Sequence, residues 1–160
     1  MADETYRFAT EDDVPVILDL IKQLAEYEKA AEEVVATEGL LRKSLFEQHA
    51  AEVLLVEADG RPVGFAVFFQ SFSTWLGCAG IFLEDLFVLE DARGKGYGKG
   101  LLKRLAHIAV ERGCGRLEWN CLDWNQPSID FYLSLGAVPM DAWTTYRLEG
   151  ATLDALAESL

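Results

Sequence analysis

The chain has few cysteines and histidines. Its three cysteines, Cys78, Cys114 and Cys121, include no Cys-x-x-Cys pair, and its two histidines, His49 and His107, lack the spacing of metal ligands. An odd number of cysteines without that spacing predicts neither a disulfide framework nor a zinc site. We therefore expect buried thiols in a reducing compartment, no metal cofactor and a cytoplasmic location.

Long apolar runs are also absent from the sequence. The first ten residues contain no signal-like apolar core, and no run approaches the roughly 20 residues that a membrane span needs. There is no internal repeat, low-complexity segment or linker. With 160 residues, of which 51% are apolar, the chain is expected to fold as a single domain over residues 1–160, without membrane association.

Basic residues are scarce, since 14 Lys and Arg stand against 27 Asp and Glu, for a net charge of -13. Nucleic-acid binding normally needs a basic face, so nucleic acid is not an expected partner. The surplus of acid keeps a protein in solution, and part of it can also attract a cationic substrate.

The first half of the chain shows both helical and strand periodicity. We predict a strand at 6–9, an amphipathic helix at 11–29 that begins at a Thr10-x-x-Asp13 capping box, and a second helix capped by Thr37. Residues 52–58 and 62–72 are rich in Val, Leu and Phe, and Asp59-Gly60 between them is a hairpin signal.

The second half alternates strands with helices. Further predicted elements are a strand at 81–88, a helix at 97–112, a strand at 116–121, a helix beginning after Asn125, a strand at 143–148 and a helix at 152–159. The predicted order is βααβββαβαβα. This order indicates an α/β protein in which helices cover a mixed sheet.

A glycine-rich segment, Arg93-Gly94-Lys95-Gly96-Tyr97-Gly98-Lys99-Gly100, joins the strand at 81–88 to the helix that follows. Its glycines are spaced neither as in a P-loop nor as in a dinucleotide-binding loop. Glycines before a helix leave backbone NH groups uncovered at the positive end of the helix, where an anionic phosphate is held favourably. A simple glycine-rich turn is the alternative.

The pattern Arg93-x-x-Gly96-x-Gly98 resembles the acyl-CoA pyrophosphate loop of the GNAT superfamily of N-acetyltransferases. The segment from Trp124 to Tyr132, WNQPSIDFY, resembles that of the spermidine/spermine (diamine) and thialysine N-acetyltransferase branch. The segments 83–88, LEDLFV, and 24–28, LAEYE, resemble that branch too. The resemblance implies the acyl-CoA N-acyltransferase fold, in which a mixed, splayed central sheet is flanked by helices and acetyl-CoA lies in the gap. It also implies a homodimer.

The same resemblance implies where the acetyl-CoA co-substrate binds. The backbone at Leu86, Phe87 and Val88 would bond the pantetheine arm, and Asn125, Pro127 and Ser128 at the start of a helix would face it. The pyrophosphate would lie on Arg93, Gly94, Lys95, Gly96, Tyr97, Gly98 and Lys99. Each of these residues also has a plain structural explanation, as core, turn or helix cap.

Acetyl transfer from a thioester to an amine needs alignment of the partners, a stabilised carbonyl oxyanion and transfer of two protons. The resemblance favours Tyr132 as general acid, because a phenol with a pKa near about 10 can supply a proton to a departing thiolate with a pKa near about 8.5. A tyrosine in an amphipathic helix is otherwise usually a core residue.

The amine arrives as an ammonium ion and must lose a proton before it attacks. Glu84 is the first candidate for the acceptor, and Glu118 in the next strand is the second. Strict alternation would place Glu84 and Asp85 on opposite faces, so that only one lines the site, the other being a structural pairing. Asn120 shares the face of Glu118 and is expected to add a hydrogen bond.

Tyr27 and Glu28, near the end of the first long helix, are expected to add aromatic and acidic contacts to a cationic substrate. The resemblance implies an acetyl-CoA-dependent N-acetyltransferase for a small primary amine, either a polyamine or a lysine-like amino acid such as thialysine. Acetylation of protein lysines or drug-like amines remains open, as do a non-catalytic CoA-binding regulator and a dimerisation module. For an amino-acid substrate, Arg147 is one candidate ligand of the carboxylate.

Overall fold

A computed structural model describes residues 3–160. Short 3-10 turns at Glu11–Asp13, Ala31–Glu33 and Glu90–Ala92 accompany the main elements, and a π-helical segment, Arg42–Glu47, extends α2. The main elements are β1 Glu4–Phe8, α1 Val14–Tyr27, α2 Glu38–Leu41, β2 Glu52–Ala58, β3 Arg61–Ser73, β4 Cys78–Val88, α3 Tyr97–Glu111, β5 Leu117–Trp119, α4 Gln126–Ser134 and α5 Gly150–Glu158.

The five strands form one mixed sheet in the order β1-β2-β3-β4-β5. The first four strands are antiparallel to their neighbours, and β5 pairs with β4 in parallel. The predicted turn between β2 and β3 is confirmed, since Asp59 and Gly60 have φ angles of 51° and 76°. Positive φ at both central residues matches the twist of a tight hairpin.

The sheet is splayed between β4 and β5, as expected. The parallel pairing covers Ile81, Leu83 and the residue between them, and within residues 3–160 the rest of β4 has no strand neighbour on that side. A β-bulge lies where the pairing stops, because Val67 pairs with Asp85 and the next residue of β3 pairs with Leu83. Glu84 is the extra residue, and a bulge of this kind bends the strand that carries it.

Helices α1 and α3 cover opposite faces of the sheet. Phe65 and Phe87 belong to a buried cluster with Ile17, Leu20 and Leu24 of α1. Val88 follows Phe87 and points to the other face, where a Cβ at Gly98 of α3 would lie 3.9 Å from one of its methyl groups. The fold is therefore a three-layer α/β arrangement, with a buried core on each side of the sheet.

The predicted caps at the starts of the helices are confirmed. The hydroxyl of Thr37 accepts a hydrogen bond from the NH of Leu40 at 3.2 Å, and the Asn125 side chain accepts one from the NH of Ser128 at 3.4 Å. The carboxylate of Asp13 accepts from the NH of Thr10 at 2.7 Å. These contacts satisfy backbone donors that a helix start leaves without a partner.

The predicted last strand at 143–148 is wrong. Residues 137–149 contain no helix or strand, and β5 is shorter than predicted. Aromatic and β-branched residues give this segment strand propensity, but a strand forms only where a neighbour completes its backbone hydrogen bonds. Among the residues described, the sheet ends at β5.

The chain divides into two compact units, Met1–Asn120 and Cys121–Leu160. The first unit contains the whole sheet and α1 to α3, and the second contains α4 and α5. The organisation of residues 1–160 as a single domain remains a prediction.

Candidate active site

The unpaired part of β4 presents backbone hydrogen-bonding groups along an open edge. The NH of Leu89 donates to the carbonyl of Val63 at 2.8 Å, and Gly64 is the register partner of Val88. In an antiparallel ladder the bonded pairs alternate, so the NH and carbonyl groups of Leu86 and Val88 point away from β3. This edge has the geometry to pair with an extended ligand that carries amide groups.

The glycine loop beside this edge is open at its two left-handed positions. Gly94 and Gly96 have φ angles of 77° and 87°, and a Cβ at either would meet no heavy atom within 4 Å. Gly96 directly precedes α3, whose first backbone NH groups have no acceptor within the helix. Lys95 and Lys99 flank these groups and are exposed. The loop therefore has the geometry and charge to hold an anionic group.

A contact with β1 fixes the first turn of α3, and sequence reasoning missed it. The hydroxyl of Tyr6 occupies the space that a Cβ at Gly100 would need, and the Arg104 guanidinium lies 3.4 Å from the centroid of the Tyr6 ring. Gly100 is thus a close-packing residue outside the Arg93–Gly98 pattern. No sequence signal shows that β1 and α3 meet here.

Arg93 lies at the start of the loop but turns toward α1. Its guanidinium carbon is 4.7 Å from the centroid of the Tyr27 ring and 5.3 Å from that of Phe87. Its Nε donates to the carbonyl of Val88 at 3.0 Å, which shows directly that this carbonyl points away from β3. The sequence predicted a pyrophosphate ligand at this position but not the contact with Tyr27.

An acidic group lies on the same face of the sheet as α1. Burial, together with the smaller effects of the Glu84 and Glu28 charges, raises the pKa of Asp85 to about 6. Burial also raises the pKa of Glu28, which follows Tyr27 at the end of α1. Within residues 3–160, no Lys or Arg nitrogen lies within 4.0 Å of the Asp85 carboxylate. Carboxylates that have a raised pKa and no cationic partner favour the binding of a cationic ligand.

The bulge changes the expected relation between Glu84 and Asp85. The prediction that their side chains lie on opposite faces of the sheet rests on strict alternation, which a bulge interrupts. Glu84 is close enough to raise the pKa of Asp85. Glu118 of β5 pairs with Phe82 and is half-buried, and Asn120 lies just beyond β5 and is exposed. The register places Glu118 on the same sheet face as Asp85.

The remaining predicted site residues belong to the second unit. Asn125 caps α4, Pro127 and Ser128 lie in its first turn, and the Tyr132 ring lies 5.5 Å from that of Phe131. Within the first unit, the structure brings together Tyr27, Glu28, Asp85, Phe87 and Arg93 at one face of the sheet. The roles assigned to α4 remain predictions.

Residues 3–160 contain no group of three or more His, Cys, Asp or Glu side chains arranged to hold a metal ion. They also contain no helix that is both long enough and apolar enough to cross a membrane.

The splayed mixed sheet, with a glycine loop at the start of α3, is the architecture of an acyltransferase domain. The acetyltransferase (GNAT) family model matches residues 18–137, three quarters of the chain, and the chain therefore belongs to this family of N-acetyltransferases. It is an enzyme of the acyltransferase class.

Curated relatives and a solved structure agree with this assignment. The chain is 37% identical to a thialysine N-epsilon-acetyltransferase of Bos taurus, covering 98% of this chain and 99% of the relative. It is 32% identical to spermidine/spermine N(1)-acetyltransferase-like protein 1 of Homo sapiens, covering 88% of this chain but 22% of that protein. An integron cassette protein from the mobile metagenome of V. cholerae superposes with a TM-score of 0.82 at 28% identity, covering 97% of this chain and 98% of the other.

Proposed function

We propose that this acetyltransferase moves the acetyl group of acetyl-CoA to a primary amine of a small cationic molecule, either a polyamine or a lysine-like amino acid such as thialysine. The observation that carries the proposal is the open β4 edge, which runs from an acidic group at Asp85 to the glycine loop before α3. One end of this edge suits an ammonium group and the other suits a phosphate.

The cofactor half of the proposal rests on main-chain groups. The amides of pantetheine would pair with the outward groups of Leu86 and Val88 on either side of Phe87, and the pyrophosphate would lie on the NH groups after Gly96. Arg93, Gly94, Lys95, Tyr97, Gly98 and Lys99 would complete that site, and Asn125, Pro127 and Ser128 would face the pantetheine. Backbone recognition explains why the side chains along this edge need not be polar.

The amine half rests on carboxylates. Asp85 and Glu28 would hold the ammonium group beside the Tyr27 ring, and binding of the cation would favour the ionised form of both acids. Glu84 would accept the proton that the amine loses, with Glu118 as the alternative acceptor and Asn120 as a further hydrogen-bonding partner. The deprotonated amine then attacks the thioester carbonyl.

Collapse of the tetrahedral intermediate releases the thiolate of CoA, which needs a proton. Tyr132 would supply it as general acid, because a phenol, with an ordinary pKa near about 10, still holds its proton at neutral pH. An outward NH of β4 would stabilise the oxyanion. Proximity of the two bound substrates supplies much of the remaining acceleration.

We also propose that the protein acts in the cytoplasm as a homodimer, in which the first helical region helps to complete the amine site of the partner. Light scattering at several protein concentrations measures the oligomeric state. A monomer at all concentrations that support full activity would remove the dimer from the proposal.

The deciding experiment is an assay of acetyl-CoA with a panel of amines, in which the release of free CoA measures turnover. Turnover with diamines, polyamines or lysine-like amino acids supports the proposal. Turnover only with peptide lysines or drug-like amines would move the activity to those substrates. CoA binding without turnover of any amine would indicate a regulator, and calorimetry showing no CoA binding would indicate a dimerisation module.

A further inference from the structure

A basic stretch begins in the glycine loop and continues along α3. The chain has 27 acidic against 14 basic residues, yet residues 92–110 contain no acid and hold Arg93, Lys95, Lys99, Lys103 and Arg104. All of these side chains are exposed. The pyrophosphate site proposed above accounts for the first three. Lys103 and Arg104 have no role in it.

Arg104 is engaged by contacts within the protein. Its guanidinium carbon lies 3.4 Å from the centroid of the Tyr6 ring, and its Nη1 donates to the carbonyl of Gly100 at 3.3 Å. Residues four apart on a helix share a face, so Arg104 lies on the side of α3 where Gly100 meets β1. These contacts give Arg104 a structural role and leave Lys103 unexplained.

Lys103 shares a face of α3 with Lys99, four residues before it. Among the residues that the structure describes, no carboxylate oxygen lies within 4.0 Å of either ammonium group. Two like charges at this spacing repel each other and destabilise the helix. An anion bound beside them would remove the repulsion.

The direction of helical side chains brings Lys103 toward the start of α3. Each Cα–Cβ bond in a helix tilts toward the N-terminus, and one turn rises about 5.4 Å, a distance that the four-carbon stem of a lysine spans. The ammonium of Lys103 can therefore reach the level of Lys99. There it lies beside the NH groups after Gly96, on which the pyrophosphate is proposed to lie.

Other cations are less suited to a further phosphate. Lys95 borders a cavity together with Asp59 and Arg61, and Arg61 pairs with Asp91 at 3.1 Å. A phosphate bound there would meet two carboxylates, which repel it. The second unit, residues 121–160, contains a single basic residue, Arg147. The face of α3 with Lys103 is therefore the favoured place for it.

Acetyl-CoA carries such a phosphate on the 3′ position of its ribose, one sugar away from the pyrophosphate. A phosphate monoester has a charge of about −1.5 to −2 at neutral pH, and a lysine binds it as a point charge. We propose, on the basis of the function proposed above, that Lys103 binds the 3′-phosphate of acetyl-CoA, with Lys99 between it and the pyrophosphate. Lys103 then distinguishes CoA from its dephosphorylated form.

The test compares CoA with 3′-dephospho-CoA, which lacks only this phosphate. Calorimetry measures the dissociation constants of both ligands for the wild type, Lys103→Gln and Lys103→Arg. Lys99→Gln serves as the comparison within the pyrophosphate site. Lys22→Gln is the matched control, since Lys22 is an exposed lysine of α1 without an assigned role.

We expect the wild type to bind CoA about 3- to 10-fold more tightly than dephospho-CoA, as for one exposed charge-assisted contact. Lys103→Gln should remove most of this difference by weakening CoA alone, and Lys103→Arg should keep it. Lys99→Gln should weaken both ligands and Lys22→Gln neither. The wild-type difference should shrink as the salt is raised from about 0.02 to about 0.3 M, because salt screens exposed charges.

Equal weakening of both ligands by Lys103→Gln would overturn the proposal and place Lys103 with the pyrophosphate ligands. A wild type that binds both ligands equally would also overturn it, as would a Lys103→Gln variant that keeps the full difference. In these three cases CoA still binds, and the proposed acetyltransferase function stands. A wild type that binds neither ligand would overturn both proposals.

Discussion

The hydroxyl of Tyr6 lies where the Cβ of any larger residue at position 100 would have to be placed. This contact joins β1 to the first turn of α3, and it sets how closely the helix start approaches the sheet. The space around the glycine loop therefore depends on a strand at the far edge of the sheet, four strands away from β5.

Gly100→Ala should destabilise the protein by about 1–3 kcal/mol, since the new methyl group must displace Tyr6 or α3. Urea unfolding measures the change. Gly98→Ala is the matched control for stability, because its Cβ would lie 3.9 Å from Val88, an ordinary contact, and alanine favours a helix. Equal stabilities of the two variants would show that Tyr6 moves aside freely.

Gly96→Ala should weaken acetyl-CoA binding. The φ of 87° at Gly96 would cost a residue with a side chain about 1–2 kcal/mol. In the alanine variant the loop avoids this cost by adopting another backbone conformation, in which its NH groups no longer point toward the phosphate. Calorimetry should show a loss of about 10-fold. Gly77→Ala is the control, because Gly77 has a φ of 70° and open space around it but lies in the β3–β4 connection. Equal weakening by both variants would contradict the assignment.

Asp85→Asn should change how stability depends on pH. The pKa of Asp85 is about 6 in the folded protein against a reference value of 3.8, so the native state holds this proton more tightly than the unfolded state. The wild type therefore loses stability as pH rises from about 4 to 6, whereas the Asn variant lacks this loss. Between pH 4 and pH 7, the variant should gain roughly 2 kcal/mol relative to the wild type.

The measurement is the free energy of unfolding of both proteins at four pH values, taken from urea titrations. Using the difference between the proteins removes the titration of every other group. Parallel pH profiles would show that Asp85 titrates as it does in the unfolded chain.

Tyr132→Phe should lower kcat about 100-fold while leaving acetyl-CoA affinity nearly unchanged, because it removes only the proton of the general acid. Single-turnover assays at saturating substrates measure the chemical step. Tyr146→Phe makes the same change at a tyrosine without an assigned role and should keep full activity. An unchanged kcat in Tyr132→Phe would remove this residue from the chemistry.

Glu84→Gln should lower kcat/KM for the amine, since a carboxylate accepts the proton of the ammonium group. Glu118→Gln is the comparison, because Glu118 is the alternative acceptor on the neighbouring strand. If only the Glu118 variant loses activity, the two roles are exchanged. If neither does, water accepts the proton.

Local signals were enough to predict most elements of the fold. The hairpin at Asp59-Gly60, the cap at Thr37 and the cap at Asn125 were found from the sequence because each depends on residues within four positions of one another. Helical and strand periodicity predicted α1 and β2 for the same reason. The strand at 143–148 failed because its propensity is local but its pairing is not.

The sequence by itself determined the family and the residue types available to the site, since the Arg93–Gly98 and Trp124–Tyr132 patterns are short and contiguous. Only the tertiary structure decided that Glu84 is a bulge, that burial beside Glu28 raises the pKa of Asp85, that Arg93 turns toward Tyr27, and that Tyr6 requires a glycine at position 100. Each of these relationships joins residues from different elements or depends on their register. Packing and electrostatics act through space, and distance along the chain does not encode them.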